Sequence, residues 1–121
     1  MDDPKFESIE QLRDALRAFA AERNWDQFHS PKNLVMALNV EAGELLEHFQ
    51  WLTEQGSRTL AAPELAAVSL ECADVFIYLV CLADKLGVDL LRAARMKIEI
   101  NERKYPADEV RRQVLQTNQS G

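Results

Sequence analysis

The chain contains only two cysteines among its 121 residues, Cys72 and Cys81. They lie nine positions apart in one predicted helix, which is too far for a disulfide because bonded cysteines need Cα atoms within about 7 Å. We expect both to be small buried residues of a protein in a reducing compartment, the cytoplasm. Basic residues are also scarce, since 14 Lys and Arg face 20 Asp and Glu and leave a net charge of −6. That balance argues against a nucleic acid polymer as partner, because phosphate binding needs clustered Lys and Arg.

Signals for secretion and for the membrane are missing from the sequence as well. The first eight residues lack the basic and apolar stretches of a secretory signal. The longest nearly apolar run, residues 72–83, is too short to span a bilayer and contains Asp74. Segments with strand periodicity, low-complexity runs and long repeats do not occur. We therefore expect a single cytoplasmic domain over residues 1–106, a polar C-terminal tail over residues 107–121, and no membrane partner.

Apolar residues recur at helical spacing in four segments, and the sequence predicts an all-α four-helix bundle. Ser8, Ser30 and Asp89 are the predicted N-caps, and Gly87 is the predicted C-terminal stop of the third helix. Residues 53–62 form the one flexible-looking connection. Apolar surface left over on the second and third helices indicates a homo-oligomer. The predicted helices run over residues 9 to about 23, 31 to about 52, 63–86 and 90–105.

Two pairs of acids lie on the second and third predicted helices. Glu41 and Glu44 are three residues apart, and so are Glu71 and Asp74. This spacing places both side chains of a pair on neighbouring parts of one helix face. Antiparallel packing of the two helices would bring four carboxylates together, and they repel one another unless a cation neutralises them. Because oxygen ligands favour Mg²⁺ or Mn²⁺ over zinc, the sequence predicts a site for one of these ions.

Other interpretations of these acids are open. Acids three residues apart on a helix are commonly solvated, and ion pairs with Lys85 or Lys97 are a further possibility. Glu71 and Asp74, however, flank the most apolar helix of the chain, where unpaired charge is costly. A di-iron site is the weaker prediction, because it would use Glu-x-x-His pairs and the second pair has no histidine.

Several stretches together resemble the MazG-like family of all-α nucleoside triphosphate pyrophosphohydrolases, most closely its dCTP pyrophosphatase branch. The acids form the E-x-x-E, spacer, E-x-x-D signature of that family. The resemblance covers most of residues 7–107, with a slightly shorter connection at residues 53–63 that leaves the base specificity open. The matching stretches are WDQFHSPKNL (25–34), EAGELLEHFQW (41–51), DVFIYLVCLA (74–83) and INERKYPA (100–107).

The resemblance implies hydrolysis of a (deoxy)nucleoside triphosphate between its α and β phosphates, which gives a monophosphate and pyrophosphate. It implies that Glu41, Glu44, Glu71 and Asp74 hold Mg²⁺, with Mn²⁺ as a substitute, and that the protein forms a dimer or a dimer of dimers. Either Glu44 or Glu41 would orient or deprotonate the attacking water, with Glu44 preferred.

Four ring-bearing residues are the predicted nucleobase site. Trp25, Trp51 and Tyr78 match the family, and a flat base can stack on such rings. Aromatic rings serve more commonly as core or interface residues, which is the plainer alternative. His29 is predicted in the same site, although a role in capping its loop fits equally well.

Three polar residues of the fourth helix, Lys97, Asn101 and Lys104, fall four and three positions apart on one side. The family pattern favours contacts of the lysines with phosphates and of Asn101 with the base or sugar. A solvated basic face is the ordinary alternative.

The sequence is compatible with three candidate functions. The first is hydrolysis of dCTP or a modified dCTP, which Trp25 and the WDQFH stretch favour. The second is the same chemistry on dUTP, an oxidised nucleotide or phosphoribosyl-ATP. The third is a non-catalytic helical oligomer that binds metal, against which the combination of four acids and neighbouring aromatics argues.

Overall fold

The computed structural model describes residues 6–120, and no strand occurs within that range. The all-α prediction is confirmed, and the four predicted helices correspond to α1, α2, α4 and α5. A short 3-10 helix, Asp26–Phe28, follows α1. The α-helices are α1 (Ile9–Glu22), α2 (Pro31–Glu47), α3 (Glu54–Arg58), α4 (Ala62–Leu86), α5 (Leu90–Lys104) and α6 (Ala107–Ser120).

The predicted helix caps are all present. The side chains of Ser8, Ser30 and Asp89 each accept a hydrogen bond from the backbone N–H three residues further on, at 3.0–3.2 Å. Gly87 ends α4 with φ 68°, a left-handed conformation that costs other residues free energy. These local signals set where α1, α2 and α5 begin and where α4 ends.

The end of α2 and the connection after it differ from the prediction. Helix α2 ends at Glu47, about five residues early, because residues 48–52 form turns in which several hydrogen bonds span three residues instead of four. The connection predicted to be flexible contains α3. Thr53 caps this short helix by accepting a hydrogen bond from the Gly56 N–H at 3.0 Å.

Contacts divide the chain into two compact units, one up to Gly87 and one from Val88 onward. The first unit contains α1 to α4, and the second contains α5 and α6. Helix α6 covers most of the predicted polar tail, residues 107–121. The acids in its first turn interact favourably with the helix dipole. The predicted domain limit at residue 106 stays a prediction.

The core of the first unit is small and lies where α4 packs along α2 and α1. Leu34 of α2 and Val80 of α4 are its best-buried large side chains, each only 1% exposed. The other buried side chains are Leu12, Ala20, Val68 and Ala83. The packing of α2 against α4 is thus the contact that positions the two pairs of acids.

Helix α4 buries one side and leaves much apolar surface exposed. Leu70, Phe76 and Leu86 are exposed in the single chain, whereas the sequence predicts a helix covered on every side by its own chain or by a partner. The prediction that both cysteines are buried is wrong for Cys72, which lies on this exposed side, and Cys81 is half-buried. Both are free thiols, so the prediction that they do not pair is confirmed.

By length and composition alone, α4 is also able to cross a membrane. The nearly apolar run at residues 72–83 is only part of this helix, which has 25 residues. A core helix of a water-soluble protein passes the same test, and α4 carries Glu71 and Asp74 near its middle. The absence of a membrane partner stays a prediction.

Candidate active site

Three of the four predicted metal ligands meet between α2 and α4. Glu41, Glu44 and Glu71 each offer a carboxylate oxygen, and these three oxygens lie within 4.8 Å of one another. We call these three residues the acid cluster. Asp74, one helical turn after Glu71, is outside this set, but its charge acts on Glu41.

The acid cluster has no basic counter-charge in the part of the chain that the structure describes. Within residues 6–120, no lysine or arginine forms an ion pair with any of the four acids, and Lys85 pairs with Asp26 instead. One carboxylate oxygen of Glu41 and one of Glu71 are buried without a hydrogen-bond partner. Buried oxygens of this kind are costly, so the arrangement calls for a bound proton or a cation.

A raised pKa at Glu41 follows from this crowding. Burial, then hydrogen bonding with Glu44 and Glu71, then the charges of Glu44 and Asp74 raise the pKa of the Glu41 carboxyl to about 7. Carboxyl groups that share a site behave in this way because they cannot all ionise at little cost. Glu41 therefore exchanges a proton near neutral pH, which is typical of functional sites.

Tyr78 lies beside the acids on α4. Its partial burial and the charges of Glu41 and Asp74 raise the pKa of its phenol. The ring is thus close enough to these two acids for their charges to affect it.

Trp51 is the most exposed of the predicted aromatic residues, with 85% of its surface accessible. The helical pattern predicts Trp51 on the same side of the second helix as Glu44, but this prediction is wrong, because α2 ends at Glu47 and Trp51 lies in the turn that follows. Its ring is open to a ligand or to another chain.

Trp25 and His29 belong to residues 24–30, which we call the aromatic segment. The Trp25 ring packs edge-on against Phe19 with centroids 5.6 Å apart. His29 is half-buried and lines a small recess together with Asp26, Cys81 and other side chains of α1 and α4.

Lys97, Asn101 and Lys104 lie on α5, in the second unit, and all three are exposed. Their contacts with phosphate, base or sugar stay predictions.

Sequence analysis missed two ion pairs on the first unit. Lys85 donates to an oxygen of Asp26 at 2.5 Å, and Arg17 donates to both oxygens of Asp84 at 2.9 and 2.5 Å. The hydrogen bond from Lys85 lowers the pKa of Asp26, and that from Arg17 lowers the pKa of Asp84. The partners are 59 and 67 residues apart, so no local pattern reveals them.

Comparison with known proteins agrees with the geometry. The model of the MazG-like family matches residues 36–114, a range that contains all four acids. The chain belongs to the MazG-like family. The resemblance in the sequence is thus confirmed, whereas Trp25 and His29 lie before the matched range.

Individual relatives extend the match beyond the family model. Human dCTP pyrophosphatase 1 is 49% identical over 102 residues, which cover 83% of this chain and 60% of that protein. The protein of the same name from Bos taurus is 45% identical over 101 residues, covering 82% and 60%. The chain thus spans about 60% of the length of these curated relatives. A solved pyrophosphatase from Archaeoglobus fulgidus has a TM-score of 0.67 and 37% identity, covering 88% of this chain and 99% of that one.

The chemistry of the acid cluster fits a hard divalent cation. Every donor is a carboxylate oxygen, which is what Mg²⁺ and Mn²⁺ prefer. The two buried oxygens without partners are the groups that such an ion would neutralise. Glu41, Glu44 and Glu71 are thus placed to hold it, with Asp74 adjacent.

Proposed function

We propose that this MazG-like chain hydrolyses a nucleoside triphosphate between its α and β phosphates and releases a monophosphate and pyrophosphate. The observation that carries the proposal is the acid cluster, which brings three carboxylates together without a basic partner among residues 6–120. Such a cluster would repel a triphosphate unless a cation lies between them. The names of the human and bovine relatives support dCTP as the substrate, and a modified dCTP is the related substrate that we include in the proposal.

We assign Mg²⁺, with Mn²⁺ as a substitute, to Glu41, Glu44 and Glu71, with Asp74 as the fourth ligand. When bound, such an ion polarises phosphoryl oxygens and lowers the pKa of a water molecule. The chain itself supplies the carboxylates that position the ion and the acid or base that handles the proton.

Glu44 and Glu41 have different roles toward the attacking water in this proposal. Glu44 is the exposed member of the acid cluster, so water and substrate reach it most easily, and we assign it the orientation of the attacking water. Glu41 has a pKa of about 7 in the metal-free protein, and because a bound cation competes with that proton, Glu41 would accept a proton only while it does not ligate the ion. Which of the two deprotonates the water is decided by comparing the pH profiles of Glu44→Gln and Glu41→Gln.

The aromatic residues provide the proposed nucleobase site. Tyr78 lies beside the acids, and the exposed ring of Trp51 is available for stacking. Trp25 and His29 would contact the base from the aromatic segment. The partner is thus a nucleotide and not a nucleic acid polymer, in keeping with the net charge of −6.

On the second unit, we propose that Lys97 and Lys104 contact phosphates and that Asn101 contacts the base or sugar. All three side chains are exposed, and the Lys104 ammonium lies 5.3 Å from the centre of the Tyr105 ring. Lys97→Met should then weaken binding of a triphosphate more than binding of the matching nucleoside.

We also propose that the protein works as a homo-oligomer, a dimer or a dimer of dimers. Val40 and Leu46 of α2 and Leu70 and Phe76 of α4 are large apolar side chains that a single chain leaves exposed. Their burial against another copy would be favourable by about 25 cal/mol per Å². Sedimentation equilibrium should give a mass of two or four times 13.8 kDa, and a monomer would contradict this part of the proposal.

A panel of triphosphates tests the function directly. The protein is incubated with Mg²⁺ and dCTP, dUTP, an oxidised nucleotide or phosphoribosyl-ATP, and the products are separated as pyrophosphate or orthophosphate. We expect pyrophosphate, fastest release from dCTP, and loss of turnover in excess chelator. Orthophosphate as the product, or full turnover in chelator, would contradict the proposal. Metal binding without any turnover would favour the non-catalytic oligomer instead.

A further inference from the structure

The aromatic segment is held with very little burial. None of residues 24–30 is buried, and the large side chains of Trp25 and Phe28 are exposed. A segment with so few buried apolar contacts is fixed mainly by its polar contacts, and its position is easily perturbed.

Polar contacts tie the aromatic segment to three helices, and they include the N-cap that Ser30 provides to α2. The Trp25 N–H donates to a carbonyl of α1 at 2.9 Å, and the Phe28 carbonyl accepts from a side chain of α2 at 3.0 Å. The contact with α4 is the ion pair of Lys85 with Asp26, whose side chains are 32% and 70% exposed. A pair this exposed adds little to global stability, so its effect is local.

Lys85 lies on the same side of α4 as Asp74 and Tyr78. Tyr78 and Lys85 follow Asp74 by four and eleven positions, which places all three within about 40° of one another around the helix. Along the axis, Lys85 lies about 16 Å beyond Asp74, or three turns. The helix that carries two of the acids thus also carries the anchor of the aromatic segment.

We propose that Lys85, through its ion pair with Asp26, is a positioning residue that sets the distance of Trp25 and His29 from the acids. The inference rests on the proposed function, because it takes Trp25 and His29 as part of the nucleobase site. Without the pair, the aromatic segment keeps its contacts with α1 and α2 and the place of His29 in the recess beside α4, but it loses its ion pair with α4. Binding of the base should then weaken, whereas the chemistry, three turns away on the same helix, should be preserved.

Steady-state kinetics with dCTP and Mg²⁺ provide the first test. Lys85→Met and Asp26→Asn should each raise KM about three- to tenfold and leave kcat within about twofold. The double variant should be no worse than either single variant, because both remove the same contact. Lys85→Arg should retain most of the wild-type KM. Arg111→Met, which removes an exposed ion pair with Asp108 on α6, is the matched control and should behave as wild type.

Fluorescence provides a second test that needs no turnover. Because the chain has two tryptophans, Trp51→Phe leaves Trp25 as the only one. In that background, Lys85→Met should increase acrylamide quenching of Trp25, and Lys85→Arg should not.

The outcomes separate this inference from the proposed function. If wild type hydrolyses dCTP and Lys85→Met has an unchanged KM, or if the two single effects add in the double variant, the positioning role is refuted. If wild type hydrolyses no triphosphate, the proposed function fails, and unchanged quenching would then refute the positioning role independently.

Discussion

Metal binding by the acid cluster should depend on pH through Glu41. Burial and the neighbouring carboxylates raise the pKa of Glu41 to about 7, and a carboxylate must lose its proton before it ligates a metal. A divalent cation and a proton therefore compete for this residue near neutral pH. A cluster of ordinary exposed carboxylates, with pKa values near 4, would show no such competition between pH 6 and pH 8.

The size of the effect follows from the pKa. With a pKa of about 7, the ionised fraction of Glu41 is about 0.9 at pH 8, about one half at pH 7 and about 0.1 at pH 6. The apparent affinity should thus fall about tenfold from pH 8 to pH 6, which corresponds to about 1.4 kcal/mol. Binding at pH 7 should release about half a proton for each ion bound.

The same shift predicts how the metal-free protein responds to pH. Because the pKa of Glu41 rises from 4.5 to about 7 on folding, the folded state binds more protons between these values. The stability contribution of Glu41 is therefore complete below pH 4.5 and is lost as the pH rises through 7. Asp26 and Asp84 act in a different range, since the stability that their lowered pKa values contribute is present above about pH 3.8 and is lost as the pH falls below it.

Isothermal titration calorimetry with Mn²⁺ at pH 6, 7 and 8 measures the affinity, and buffers of different ionisation enthalpy give the proton count. Thermal melts without metal should show a midpoint that rises from pH 7.5 to pH 5.5. Glu41→Gln should bind the ion weakly and without the pH dependence. Glu47→Gln, which removes an exposed acid of α2 outside the acid cluster, should behave as wild type. Equal affinities at pH 6 and pH 8, with no proton release, would refute the reasoning.

Three further predictions concern single side chains. Glu71→Ala should abolish hydrolysis and leave helicity and assembly intact. In chelator it should also raise the melting temperature, because charges at most 4.8 Å apart repel by about 1 kcal/mol even in water. A lower melting temperature would count against charge repulsion. Trp51→Ala should raise KM more than it lowers kcat, and an unchanged KM would argue against stacking on this ring. Leu34→Ala should lower the free energy of unfolding by about 3–5 kcal/mol in urea titrations, because Leu34 is fully buried. Val35→Ala, at an exposed position on the same helix, should cost less than about 1 kcal/mol, and equal losses would contradict the assigned core.

Sequence predicted those parts of the fold that short stretches of chain determine. A cap depends on a side chain and a backbone N–H three residues away, and Ser8, Ser30 and Asp89 are all recognisable from that spacing. The acid pairs are of the same kind, because a spacing of three fixes which side of a helix both residues share. The meeting of Glu41 with Glu71 required only that the two helices pack together.

The end of α2 shows where periodicity fails. The residues after Glu47 continue the apolar pattern without a glycine or proline, so the sequence predicts continued helix. The backbone instead tightens into turns, in which the Leu52 N–H bonds to the carbonyl of Phe49 at 2.9 Å. The position of Trp51 relative to the acids was therefore not predictable from a helical wheel.

Ion pairs between residues far apart in the sequence are the second kind of feature that the sequence does not predict. Asp26 and Lys85 are 59 residues apart, and nothing in either neighbourhood specifies the other. Lys85 was instead a candidate partner for the acids, since it lies on the same side of α4. Only the packing of the aromatic segment near the end of α4 decides which carboxylate it meets.

The acid cluster is a feature that folding alone does not explain, and a bound ligand would account for it. Glu41 and Glu71 come from the two helices whose packing contains the best-buried core residues, Leu34 and Val80. Each places a carboxylate oxygen out of water without a partner, at a cost that an apolar side chain of similar size would avoid. Proteins keep such destabilising groups where activity requires them. A divalent cation would turn the repulsion among the three carboxylates into attraction, so the free energy lost in the metal-free fold becomes affinity for the ion.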